Sequence, residues 1–200
     1  MINTIVLDIG QVLAEFRWEA YLKDCGYNEE TRQKVSKATI LSKVWCEVDR
    51  GVLSEEEIVA ICCAQEPSVT QEITTLFDNF IELVQEYEYS ENFVRQLKEN
   101  GYKVYLLSNF GRSFLDVSKH FKFIKYVDGG VISFEVKHIK PEPEIYNDLL
   151  EKYHINPKEA LFLDDLKDNL DAASQLGFHT IQVSVFEKAL EELRALGVKI

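Results

Sequence analysis

The chain has 200 residues, of which 46% are hydrophobic and 28% charged, a balance that excludes intrinsic disorder over most of its length. A chain of this size buries roughly 70% of its unfolded surface and needs no staple, and no apolar run approaches the roughly 20 residues that span a bilayer. The net charge of −12, from 34 acidic and 22 basic residues, disfavours a nucleic-acid partner, whose phosphates it would repel.

Met1-Ile2-Asn3-Thr4 carries neither a basic region nor a signal-type apolar stretch, so a cytoplasmic location with no membrane contact is the expectation. Ile5-Val6-Leu7 then reads as a buried parallel strand with a carboxylate, Asp8, at its C-terminal end. Residues 15–89 have a different character. Ser54-Glu55-Glu56-Glu57 is a capping box that opens a helix through Ile58, Ile61 and Cys62. Ser68, three residues before Gln71, predicts a second opening, with Ile73, Leu76, Phe77, Phe80 and Val84 at helical spacing. No strand-like alternation intervenes, which predicts an all-helical insertion with seams near 14–18 and 86–90. Residues 43–88 hold 11 acidic and only 2 basic side chains, as a solvated helical face does. The cysteines, Cys25, Cys46, Cys62 and Cys63, have neither C-x-x-C nor zinc-like spacing and read as buried free thiols.

Beyond the insertion, strand and helix patterns alternate. Val104–Leu107 ends at Ser108-Asn109, Ala160–Leu163 ends at Asp164-Asp165, and His179–Val183 is a fourth strand. Helices are predicted around Phe93, Val94 and Leu97, around Ile145 to Tyr153, and around Leu170, Ala173 and Leu176, the first and third closed by glycine. This alternation predicts βαβ units: an α/β fold with a doubly wound, Rossmann-like parallel sheet. The core would be residues 1–14 and 90–200, with a helical cap at 15–89. Ligands of such sheets bind at the C-terminal ends of the strands.

Three strand ends therefore carry a carboxylate, a hydroxyl–amide pair and two further carboxylates. Lys140 stands in His138-Ile139-Lys140-Pro141-Glu142-Pro143, where the prolines stiffen its backbone. Such a set suits a hard divalent cation bound through oxygen and a clamped phosphoryl group.

Asp8-Ile9-Gly10-Gln11-Val12, Leu107-Ser108-Asn109, Lys140-Pro141-Glu142-Pro143 and Leu163-Asp164-Asp165 with Asn169, in this order, resemble the four motifs of the haloacid dehalogenase-like hydrolases. The insertion after the first motif resembles the lid of the helical-cap subgroup, and within it the bacterial sugar-phosphate phosphatases, notably those acting on α-D-glucose 1-phosphate. The resemblance implies an Mg²⁺-dependent phosphatase of small phosphorylated metabolites, monomeric or weakly dimeric. Asp8 would be the nucleophile that forms an aspartyl-phosphate. Asp8, Asp165 and the Gly10 carbonyl would hold Mg²⁺, and Ser108 and the Asn109 backbone a phosphoryl oxygen. Lys140 would offset the negative charge, with Asp164 and Asn169 orienting it or the metal's waters.

The departure is Gly10, where most phosphatases of this family place a second aspartate as general acid–base. An anomeric sugar phosphate, with its good leaving group, tolerates that loss, and Glu15 is the nearest carboxylate in sequence to replace it. A hydrolase-derived binding module with little or no turnover is the alternative. A dehalogenase needs no metal, which the second carboxylates argue against. A phosphorelay receiver places its acidic pair before the phosphorylated aspartate, the opposite order. Arg17, Trp18, Trp45 and Arg50 are cap residues able to reach a polar ligand. Packed tryptophans and surface arginines are the plainer expectation, as is a turn position for His138.

Overall fold

The computed structural model describes residues 1–200. The first half contains β1 (Thr4–Leu7), β2 (Ala14–Phe16), α1 (Trp18–Asp24), α2 (Glu29–Ala38), α3 (Trp45–Arg50), α4 (Glu55–Gln65), α5 (Thr70–Asp78) and β3 (Val84–Glu86). The second contains α6 (Ser90–Glu99), β4 (Lys103–Ser108), α7 (Phe114–Val117), β5 (Gly129–Ile132), α8 (Ser133–Val136), α9 (Pro143–Tyr153), β6 (Ala160–Asp164), α10 (Lys167–Gln175), β7 (His179–Gln182) and α11 (Phe186–Ala195).

Five strands form one parallel sheet in the order β5-β4-β1-β6-β7. Because side chains alternate along each strand, the sheet builds two cores. Ile5, Leu7, Val104, Leu106, Leu161 and Leu163 face one side, with α6 and α11. Val6, Tyr105, Leu107 and Phe162 face the other, against Ile145, Tyr146 and Leu149 of α9 and Leu170 and Ala173 of α10. This is the doubly wound α/β architecture. Leu7 pairs with both Leu106 and Leu163, so β1, β4 and β6 end level and deliver Asp8, Ser108 and Asp164 to one edge. β5 was not expected, since Gly129-Gly130 carries no hydrophobic signal.

Between β2 and β3 the chain is helical, but its two ends are not. β2 and β3 pair antiparallel, Ala14 with Glu86 and Phe16 with Val84, and tie the insertion's entry to its exit. Three-residue strands are too short to show a period-two pattern, which is why the seams read as featureless. The capping box at Ser54 forms as expected, with Ser54 Oγ accepting from Glu57 N at 3.2 Å and Glu57 Oε2 accepting from Ser54 N at 2.8 Å. The one expected at Ser68 does not. Its hydroxyl donates to Glu66 at 2.6 Å, α5 begins at Thr70, and a tight turn over Phe80–Leu83 replaces the helix expected through Val84. Of the four free cysteines only Cys62 is buried, and Cys46 is exposed, because α3 is a short helix with one apolar face. No helix is long and apolar enough to cross a membrane.

Candidate active site

Lys140 occupies the centre of the polar edge. Only 3% exposed, it must be paired to keep its charge. Its ammonium lies 2.8 Å from Asp8 Oδ1 and 2.7 Å from Asp164 Oδ2, and donates to the Leu107 carbonyl at 3.0 Å. Burial opposes the charge, but the two carboxylates outweigh it and hold the ammonium above its ordinary pKa. Its backbone is gripped by the Asn109 side chain, which donates to Lys140 O at 3.0 Å and accepts from Lys140 N at 2.7 Å. The amide of Asn109 thus positions the lysine. Its backbone N–H makes no hydrogen bond within the chain, and Asn109 lines the cleft.

The two carboxylates ending β6 differ. Asp164 is fully buried and saturated, accepting from Lys140, from Leu166 N at 2.8 Å and from Asn169 Nδ2 at 3.0 Å. Asp165 is partly open to the cleft and its carboxyl has no partner. Burial pushes it up to about 6, with the negative charges of Asp8 and Asp164 adding to the effect. Asp8 is also raised, first by burial, against the pull of Lys140 and with a push from Asp164. Its Oδ1 is buried without an aligned hydrogen-bond donor, although the lysine ammonium is at ion-pair distance.

Oxygens of Asp8, Asp164 and Asp165 lie within 4.8 Å of one another. Three carboxylates against one ammonium leave an excess of two negative charges in a partly dry site. An orphaned carboxylate oxygen, an unpartnered carboxylate and that charge excess fit a divalent cation with oxygen ligands. The Gly10 carbonyl, which accepts no hydrogen bond within the chain, is free to join them.

Above this floor the insertion closes a cleft of about 240 Å³. Its roof is aromatic: Trp45 stacks on Phe80 at 5.9 Å and packs against Phe16 at 5.6 Å. Trp45 therefore serves both packing within the insertion and the cleft wall, whereas Trp18 only packs on the core. The arginines do not reach the cleft. Arg17 pairs with Asp24 and the Glu82 carbonyl. Arg50 forks onto Glu142 at 2.9 and 2.7 Å. His138 pairs with Asp148 at 2.8 Å, away from the site. Glu15 is a correction: strand alternation in β2 turns Ala14 and Phe16 to the cleft and Glu15 out of it.

The carboxylate of the insertion that does line the cleft is Asp49, at the end of α3. Burial pushes it up to about 7, with Asp8 adding and Lys140 opposing. It was missed because it lies 41 positions after Asp8 among many surface acids, and no local pattern marks it. Gly10 has an ordinary negative φ, and a Cβ there would meet nothing within 4 Å.

The family profile of the haloacid dehalogenase-like hydrolases matches residues 2–177. D-ribitol-5-phosphate phosphatase of Bacteroides thetaiotaomicron is 28% identical over 198 residues, covering 91% of this chain and 92% of the relative. Acyl-CoA dehydrogenase family member 10 of Mus musculus is 37% identical over 108 residues, but this chain spans only 10% of that protein's length. A HAD family enzyme of Bacteroides thetaiotaomicron, crystallised with magnesium and inorganic phosphate, superposes with a TM-score of 0.72 at 26% identity, over 91% of this chain and 94% of that one.

Proposed function

The chain belongs to the haloacid dehalogenase-like hydrolases, and from that premise we propose that it is an Mg²⁺-dependent phosphatase of small phosphorylated metabolites, with Asp8 as nucleophile. The observation that carries this reading is Lys140, buried between Asp8 and Asp164 at the sheet edge, beside an Asp165 carboxyl that no residue of the chain satisfies. The D-ribitol-5-phosphate phosphatase and the magnesium–phosphate complex support it. Residues 1–14 and 90–200 form the core in this reading, and residues 15–89 the cap.

Asp8 attacks phosphorus and forms an aspartyl-phosphate while the phosphorus–oxygen bond to the leaving group breaks. Lys140 holds the nucleophile in place and offsets the charge of the incoming phosphate. The Ser108 hydroxyl and the Asn109 N–H receive a phosphoryl oxygen. Asp164 and Asn169 keep the ammonium aimed at Asp8. Asp8, Asp165 and the Gly10 carbonyl would hold Mg²⁺, which supplies the charge neutralisation that lets a carboxylate approach a phosphate dianion.

Lys140 is the only cation lining the cleft, which it shares with three carboxylates and an aromatic wall. A leaving group with a second anionic group would be repelled. A neutral sugar or polyol, whose C–H faces pack on Trp45, is the better match, and α-D-glucose 1-phosphate and D-ribitol 5-phosphate are the substrates to try first. Gly10 favours a second reading, a binding module with little or no turnover, and one assay separates the two. Phosphate release from a panel of sugar and polyol phosphates is measured with Mg²⁺ and with EDTA. Release should require Mg²⁺, and Asp8→Asn should fall below about a hundredth of wild-type rate. Release that survives EDTA or Asp8→Asn would refute this mechanism; binding without release would establish the module.

A further inference from the structure

Attack by Asp8 leaves the departing oxygen as an alkoxide unless something protonates it, and such help is worth about 10²–10⁴ in rate. The usual position for the donor is Gly10, which has no side chain. The other polar groups on the floor have roles in the phosphatase reading, Asp165 toward the cation and Ser108 toward a phosphoryl oxygen. The Lys140 ammonium donates to Asp164 and the Leu107 carbonyl and is held at ion-pair distance by Asp8. The Asn109 amide holds the Lys140 backbone, and the Asn169 amide donates to Asp164. In an in-line displacement the leaving oxygen departs on the side opposite the nucleophile, which here is the cap side.

Resting on the phosphatase reading, we infer that the Asp49 carboxyl, brought by α3 across the cleft from Asp8, protonates the leaving oxygen and then takes the proton of the attacking water. In the first step the proton passes from Asp49 to the leaving oxygen as the phosphorus–oxygen bond breaks, giving an alcohol and a carboxylate. In the second, water attacks the aspartyl-phosphate, Asp49 takes its proton, and the bond to Asp8 breaks. Phosphate leaves, and both aspartates return to their starting states.

Asp49 is placed with unusual firmness for a cap residue. Its carbonyl accepts from Ser133 Oγ of the core at 2.6 Å. The next residue, Arg50, forks onto Glu142 and donates to the Lys137 carbonyl at 3.2 Å. Gly51 then turns with φ +64°, and a Cβ there would stand 2.8 Å from Phe134 Cβ. On the preceding side the Val48 carbonyl packs so close to Gly111 that a Cβ on that glycine would lie 2.8 Å from its oxygen. The backbone of Asp49 is thus riveted to the core on both sides, while no hydrogen bond or ion pair within the chain occupies its carboxyl. A carboxyl brought up to about 7 by burial is protonated in a useful fraction near neutral pH, unlike one at 3.8.

The test compares two leaving groups on the same enzyme sample under single-turnover conditions with Mg²⁺: D-ribitol 5-phosphate, an alkyl ester, and p-nitrophenyl phosphate, whose leaving group needs no proton. Asp49→Asn should slow the alkyl ester about 10²- to 10³-fold and the aryl ester by less than about fivefold. Because both substrates are read on one sample, loss of folded protein scales both rates and leaves their ratio unchanged. Adding Gly10→Asp to Asp49→Asn places a carboxyl in the open space at position 10 and should recover the alkyl rate at least about tenfold. Equal slowing of both esters, or an unaltered ratio, would overturn the donor role while leaving the nucleophile intact. A wild type that hydrolyses neither ester would overturn the phosphatase reading and the donor role together.

Discussion

Asp165→Asn keeps the shape of the side chain and removes its charge. In the folded protein its carboxyl is pushed from an ordinary 3.8 to about 6, by burial first and by Asp8 and Asp164 second. Keeping it ionised at neutral pH then costs roughly 3 kcal/mol if the whole difference counts. Its partial solvent access reduces this to about 1–2 kcal/mol. A raised pKa in the folded state means that the folded state holds the proton more tightly. The penalty is therefore absent below about pH 4, grows through the window from about 4 to 6, and is complete above it. In EDTA at about pH 7.5 the variant should melt about 2–6 °C above wild type, and at about pH 4 the two should coincide. Mg²⁺ should reverse the order at neutral pH, since a ligand bound only by the folded state stabilises it by mass action and the variant has lost a carboxylate for the cation. Thermal melts followed by circular dichroism, with and without Mg²⁺, read all four conditions. The same Tm difference at both pH values would refute the electrostatic origin. Equal Mg²⁺ stabilisation of both proteins would refute Asp165 as a metal ligand.

Lys140→Met removes the ammonium between Asp8 and Asp164 and leaves two carboxylates facing each other, a loss of about 3–5 kcal/mol at neutral pH that denaturant titration would read; an unchanged midpoint would show that the pair is not electrostatically held. Gly51→Ala must carry a side chain at φ +64° against Phe134. It should cost about 1–3 kcal/mol and, by displacing α3, lower the rate on D-ribitol 5-phosphate more than on p-nitrophenyl phosphate. A stable variant with an unaltered rate ratio would show that this contact does not position Asp49.

The strand ends were legible in the sequence because everything that defines them is local. Ile5-Val6-Leu7, Val104–Leu107 and Ala160–Leu163 are short apolar runs that read as buried parallel strands, and the polar residue stopping each run is the next one along. Parallel pairing then places all those stops at one edge, so Asp8, Ser108, Asp164 and Asp165 could be grouped before any contact was known. Lys140 could be added to them through the prolines around it. The Ser54 capping box was likewise readable, since both its partners lie within one turn. Ser68 shows the limit of that logic: the same spacing of side chains formed no cap, because Pro67 and the turn at Glu66 set a different backbone there.

What the tertiary structure decided is everything that depends on how the insertion folds back. The β2–β3 ribbon joins residues about 70 positions apart through strands of three residues, too short to leave a pattern. That ribbon, with the Arg50–Glu142 fork and the close approach at Gly51, sets the insertion over the sheet edge. It turns Glu15 outward and puts Trp45 on the wall. Above all it brings Asp49 to face Asp8. Asp49 differs from the other acids of its segment in its place on the cleft wall and in the charges across the cleft. Both are long-range quantities that no local run of residues encodes, and together they set its proton affinity apart.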